Sequence, residues 1–93
     1  MNNVINNNTY VFTTKYVIKY GSPIVRVIHD EDGDWQFLGN DNNLQETDAI
    51  IVSLSEIIEF DKTLIDIIDL PIGEQAIRED IGGTWHIYDS ISK

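Results

Sequence analysis

The chain has 93 residues, of which sixteen are acidic and six are basic, so its formal net charge is −10. A chain of this length holds one hydrophobic core and one domain. The absence of cysteine excludes disulfides, thiol nucleophiles and cysteine-bound metals, and the negative charge disfavours nucleic acids and anionic membranes as partners.

The first eight residues include five asparagines and lack both a basic segment and an apolar core. They do not resemble a signal peptide, and no apolar run approaches the roughly 20 residues that span a bilayer. We therefore expect a flexible polar tail at residues 1–8, a single domain at residues 9–89 and a short tail at residues 90–93. The expected location is the cytoplasm.

The first half of the domain is rich in β-branched and aromatic residues. Residues 10–14 predict a strand, and residues 15–20 fit either its continuation or one helical turn. After a turn at Gly21, residues 24–29 predict a second strand, with Ile24 and its alternate neighbours on one face.

The most distinctive stretch is residues 29–38, where an acidic turn joins two apolar runs. Asp32 and Gly33 have the composition of a tight hairpin turn. Trp35 and Phe37 continue with period two, so we expect both side chains on the buried face of a strand. An eight-residue polar loop follows at residues 40–47, and its length makes it a candidate binding loop.

The second half alternates helix and strand signals. Residues 48–52 are typical of a buried strand, and Ser53 with Glu56 forms a capping box that predicts a helix start. Asp61 caps a second helix, which ends before Pro71. We expect the apolar side chains of this second helix to pack on one side: Leu64, Ile65, Ile67 and Ile68. We predict further helical turns at residues 73–80, with Ala76 and Ile77 inward, and a last strand at residues 84–88.

Together these elements predict an α+β domain with a four- to five-stranded, mostly antiparallel sheet and one to three short helices. A series of short motifs follows in order along the chain: Asp34-Trp35, Phe37 and Gly39, Asp61 with Ile65, Leu70-Pro71 with Gly73, then Arg78 and Trp85. This series resembles a family of small bacterial domains of unknown function related to immunity proteins of polymorphic toxin systems. The resemblance implies an immunity-type binding role and brings no catalytic residue with it.

The acidic turn offers a possible cation site. Asp30, Asp32 and Asp34 have the spacing of the first calcium ligands of an EF-hand, but the sixth position is Trp35 and the twelfth is Asp41. An EF-hand is therefore excluded, and we predict no metal or cofactor.

Two alternatives for enzymatic chemistry depend on the histidines and serines. His29 and His86 would form a two-histidine, one-carboxylate metal site if their strands were neighbours. No serine has the Gly-x-Ser-x-Gly setting of a hydrolase nucleophile, and no glycine-rich phosphate loop is present. We therefore predict that the protein is not an enzyme.

Arg78 and the two tryptophans each have two interpretations. Arg78 fits a helical ion pair with Glu74, or it orients an acidic-turn carboxylate or anchors a partner through its planar fork. Period-two spacing favours the core for Trp35, whereas Trp85 fits the core and an interface equally.

The predicted function is that of a non-enzymatic, acidic protein-binding module, with a basic protein such as a toxin as its partner. The alternative is a single-domain housekeeping or regulatory protein, and a metal-binding protein or enzyme is the third possibility. The oligomeric state is left open. The candidate partner-binding residues are Asp30, Glu31, Asp32, Asp34, Asp41, Asn42, Arg78 and Trp85.

Overall fold

The structure, a computed structural model, describes residues 9–41 and 43–89. The two predicted tails, residues 1–8 and 90–93, lie outside the described residues, as does Asn42. Among the residues described, no helix has the length and apolar character needed to span a membrane.

Six strands form one mixed sheet in the described part of the chain. They are β1 Tyr10–Thr14, β2 Arg26–His29, β3 Trp35–Leu38, β4 Ala49–Ser53, β5 Glu74–Ile77 and β6 His86–Asp89. Their order in the sheet is β4-β1-β3-β2-β5-β6. β1 and β3 are parallel, whereas the other neighbours are antiparallel. The α+β class is therefore confirmed, with one or two strands more than predicted.

Two short α-helices follow strands directly. α1, Lys15–Ile18, resolves the ambiguity of residues 15–20, and the Thr14 hydroxyl caps it by accepting from the Val17 N–H. α2, Leu54–Phe60, begins where the capping box predicted, because Ser53 and Glu56 satisfy each other's backbone N–H groups. Two 3₁₀ helices, Glu46–Asp48 and Lys62–Ile67, complete the described elements.

The helix predicted after Asp61 is a 3₁₀ helix, and this changes which side chains are buried. A period of three residues places Leu64 and Ile67 on one side, and both are buried as expected. Leu70, beyond the end of the helix, is buried as well. Ile65, predicted to face inward, is 51% exposed. The helical period assumed for this segment was therefore wrong.

The prediction of helix at residues 73–80 is also wrong, because β5 forms there. Gly73 adopts a positive φ of 89° and its N–H donates to the His29 carbonyl, which starts the pairing of β5 with β2. Each edge of β5 then pairs with a neighbour, β2 on one side and β6 on the other. This long-range pairing overrides the local signal, although Ala76 is buried as expected.

The sheet has one covered face and one open face. Buried side chains of the covered face, among them Val27, Trp35 and Phe37, form a single core with buried side chains of the helices. Trp35 and Phe37 are thus confirmed as core residues. β4 is an edge strand rather than the buried strand predicted, and its Ile51 is 60% exposed on the open face.

Candidate functional site

The acidic turn joins β2 to β3 in a three-residue hairpin loop with a glycine bulge. The Gly33 N–H donates to the Asp30 carbonyl at 3.0 Å, and the Asp30 N–H donates to the Asp34 carbonyl at 2.9 Å. Gly33 has a φ of 87°, which is the left-handed conformation this loop requires. The predicted hairpin is confirmed, and its glycine takes the bulge position.

Asp30 also organises the loop through its side chain. Its Oδ1 accepts from the Asp32 N–H at 2.9 Å and from the Asp34 N–H at 3.1 Å. One carboxylate oxygen of each of the three aspartates lies within 4.8 Å of the others. We call Asp30, Glu31, Asp32 and Asp34 the acidic tip. Each aspartate offers one oxygen to this cluster, so the three fill three of the six to eight ligand positions that calcium takes, and the cluster by itself is incomplete as a calcium site.

The predicted two-histidine metal site requires β2 and β6 to be neighbours, but β5 lies between them. His29 pairs with Glu74 in β5, whereas His86 pairs with Ile77, three residues further along that strand. Because three is an odd number of residues, the two imidazoles point to opposite faces. His29 stacks on Trp35 with ring centroids 3.9 Å apart, and its Nδ1 donates to the Leu70 carbonyl at 2.7 Å.

The topology brings further carboxylates to the end of the sheet that carries the acidic tip. His29 is the last residue of β2 and pairs with Glu74, the first residue of β5. Glu74 pairs in turn with Asp89, the last residue of β6. Six acidic residues therefore lie at this end, and they create a negative potential that attracts cationic groups.

A shallow groove of about 350 Å³ crosses the open face beside the acidic tip. Its floor includes the side chains of Phe12, Gln36 and Leu38 from β1 and β3, and Asp30 lines it as well. Leu44 and Gln45, from the predicted binding loop, form a wall near Ala49. Phe12 is 38% and Leu44 40% exposed, so the groove presents apolar surface to solvent.

The sheet register gives the length of this groove. Asp30 lies opposite Asp34, where the hairpin closes, and Leu38 follows Asp34 by four residues on β3. At a rise of about 3.3 Å per residue, the distance from the acidic end to the Leu38 end is about 13 Å. We call this feature the open-face groove.

Asp48 holds the loop wall of the open-face groove in place. Its Oδ2 accepts from the Gln45 N–H at 2.9 Å, and its Oδ1 lies 3.3 Å from the Lys15 Nζ. The hydrogen bond from Gln45, supported by Lys15, holds the pKa of the Asp48 carboxyl below its ordinary value although burial opposes this. The hydrogen bond that Lys15 makes to the Asp48 carboxylate correspondingly raises the pKa of Lys15.

Asp41 lies away from the acidic tip, beyond the opposite end of β3. It lines a separate depression with Arg26, Gly39 and Glu79. Its Oδ2 is buried and has no hydrogen-bond partner among the described residues. The candidate binding residues therefore do not form one surface: the acidic tip and Asp41 are separated by the length of β3, and Asn42 lies outside the described residues.

Arg78 is buried, and its three donors are used inside the domain. Its Nη2 donates to Asp61 Oδ2 at 2.8 Å, its Nη1 to Thr63 Oγ1 at 2.8 Å, and its Nε to the Ile24 carbonyl at 3.0 Å. Glu74 is in β5 rather than one helical turn before Arg78, so the helical ion pair is not formed. Arg78 is thus unavailable to the acidic tip or to a partner.

Trp85 covers this ion pair from the outside. The Arg78 guanidinium carbon lies 4.2 Å from the centroid of the indole ring, and the half-buried ring packs against the core. A cation–π contact at this distance shields the buried charge from water. The position supports the core interpretation of Trp85 that the sequence left open.

Sequence reasoning singled out Asp30, and it included Leu44 and Gln45 in the candidate loop at residues 40–47, but it missed Phe12, Gln36 and Leu38 of the open-face groove. A signal for an apolar open face was present in the alternation of β1 and β4. Phe12 and Ile51 occupy outward positions, which are usually polar when one face of an antiparallel sheet meets solvent. Neither pattern indicated that Leu44 would fold back against this face.

Comparisons of the chain with protein-family models, with curated proteins and with solved structures found no match.

Proposed function

We propose that this protein is a non-enzymatic binding module that holds a basic protein against its open sheet face, in the manner of an immunity protein neutralising a basic toxin. The observation that carries the proposal is the open-face groove, in which exposed apolar side chains lie next to the acidic tip. Apolar contacts supply binding free energy on such a surface, and carboxylates select a cationic partner and accelerate its encounter.

The chemistry of the remaining polar groups supports a binding role. Arg78 and Asp61 neutralise each other inside the domain, and His29 donates to a backbone carbonyl while stacked on Trp35. These groups stabilise the fold. The exposed carboxylates of the acidic tip remain for contact with a partner.

The test is retention of partners from the lysate of the protein's own cells, compared between the wild type and two variants. One variant, Asp32→Asn with Asp34→Asn, removes two charges from the acidic tip. The other, Leu44→Ser, makes the groove wall polar. We expect the wild type to retain a basic protein at about 50 mM salt and to release it near 500 mM, because added salt screens exposed charges.

Both variants should retain clearly less of the same protein, identified by mass spectrometry. The control is Glu59→Gln with Glu79→Gln, which removes two exposed charges away from the acidic tip. Equal retention by all four proteins, or retention of nothing basic by the wild type at low salt, would contradict the proposal.

A further inference from the structure

The geometry of the open-face groove also limits the kind of segment that it accepts. This step rests on the proposed function and concerns the same surface. We infer that the partner contributes a single extended segment, with an apolar side chain beside Leu38 and Leu44 and a lysine or arginine about four residues away, on the acidic tip.

The length of the groove sets the spacing of the two side chains. About 13 Å separates the acidic end from the Leu38 end, as the register of β3 requires. An extended chain advances about 3.3 Å per residue, so about four residues span this distance. Side chains four residues apart on an extended chain point to the same side, and both therefore face the sheet.

The volume of the groove favours an extended chain over a helix. A helix about 10 Å wide and 13 Å long occupies about 1,000 Å³. The groove encloses about 350 Å³, close to the lower limit of ordinary ligand pockets. Over the same length an extended segment contains about four residues and a helix about nine, so a larger share of an extended segment enters the groove.

Polar groups along the floor suit the backbone of such a segment. Gln36 lies between Phe12 on β1 and Ile28 on β2, in the middle of the open face, and Gln45 lies on the wall. Both side chains carry a donor and an acceptor. An extended segment has free N–H and C=O groups along its length, so the two amides offer it partners between the apolar and the acidic ends.

Electrostatic complementarity decides which end of the bound segment carries the positive charge. Asp30, Asp32 and Asp34 place three carboxylate oxygens within 4.8 Å of one another at one end only. A cation therefore gains most at that end, and an acidic side chain is repelled from it. The opposite end presents Leu38, Ala49 and Leu44, which favour an apolar or aromatic side chain.

The test uses two synthetic peptides of identical composition. Ac-Ser-Phe-Ser-Thr-Ser-Arg-Ser-amide has phenylalanine and arginine four residues apart, and Ac-Ser-Phe-Ser-Arg-Ser-Thr-Ser-amide has them two apart. Each is titrated into the ¹⁵N-labelled full chain, and amide shifts of Phe12, Gln36 and Leu38 are followed. We expect the first peptide to bind about threefold to fivefold more tightly, which is the effect of one exposed charge pair.

Two variants separate the contributions of the two ends. Asp32→Asn with Asp34→Asn should remove the preference for the four-residue spacing and leave weak binding of phenylalanine. Leu44→Ser should weaken both peptides. Transferred NOEs of the first peptide should show the strong sequential Hα–HN contacts of an extended chain.

Equal affinity of the two peptides, NOEs typical of a helix, or burial of Phe12 in a dimer of the protein would overturn the inference. These outcomes are distinct from failure of the proposed function. If the lysate partner depends on the acidic tip and Leu44 but the peptide spacing has no effect, the function stands and the extended segment is wrong.

Discussion

Arg78 connects the end of β5 with two parts of the chain that are far from it in the sequence. Its guanidinium donates to the carbonyl that precedes β2, to the cap of the second 3₁₀ helix and to Thr63 within that helix. A planar fork with several fixed donors makes three such contacts at once, whereas an ammonium group is a single point charge. Arg78 therefore fixes the second 3₁₀ helix against the ends of β2 and β5.

We predict that Arg78→Lys lowers the free energy of unfolding by about 2–3 kcal/mol, because at least one buried acceptor loses its partner. The measurement is denaturant unfolding. Arg26→Lys is the matched control, since Arg26 is exposed in β2, and it should change stability by less than about 0.5 kcal/mol. Equal effects of the two substitutions would show that the buried contacts of Arg78 add nothing.

Asp48 makes the stability of the fold depend on pH in the acid range. The pKa of Asp48 in the folded protein lies below its ordinary value, chiefly because the Gln45 N–H donates to the carboxylate, with Lys15 adding to the effect. A depressed pKa means that the stabilisation is complete above the ordinary value of about 3.9 and is lost as the pH falls through the folded-state pKa.

We therefore predict that Asp48→Asn lowers the midpoint of thermal unfolding at neutral pH and that the difference from the wild type shrinks at low pH. Melting curves between pH 7 and pH 2 measure this. Glu46→Gln, an exposed neighbour in the same 3₁₀ helix, should follow the wild type across the range. A difference independent of pH would mean that the carboxylate charge is not responsible.

At the scale of elements, local signals were sufficient wherever a cap or turn defines the boundary. Ser53 and Glu56 located the start of α2, and Asp61 located the start of the following 3₁₀ helix. The signals failed where tertiary pairing decided the structure. Residues 74–77 became a strand because both their edges are hydrogen-bonded to other strands.

The hairpin between β2 and β3 provides a test at this scale. Gly33 has a φ of 87°, and no atom lies within 4 Å of where its Cβ would be. Gly33→Ala should therefore cost about 1–2 kcal/mol through backbone conformation alone. Gly33→Asn should cost less, because asparagine tolerates the left-handed region. Equal costs in chemical denaturation would contradict a purely conformational origin.

Across the whole molecule, the two faces of the sheet have different roles. The covered face carries the apolar core and the buried ion pair, which stabilise the fold. The open face carries exposed apolar side chains, and one end of the sheet gathers the acidic tip with Glu74 and Asp89. A domain that leaves apolar side chains uncovered next to concentrated charge is suited to contact with another molecule.

The sequence by itself determined the α+β class, the hairpin with its glycine, the capped helix starts and the burial of Trp35 and Phe37. These depend on contacts within a few residues or on the alternation of one strand. Only the tertiary structure decided the partner of Arg78, the strand at residues 74–77 and the open-face groove. Each of these brings together residues that are distant in the chain, and no local pattern records which distant segments will meet.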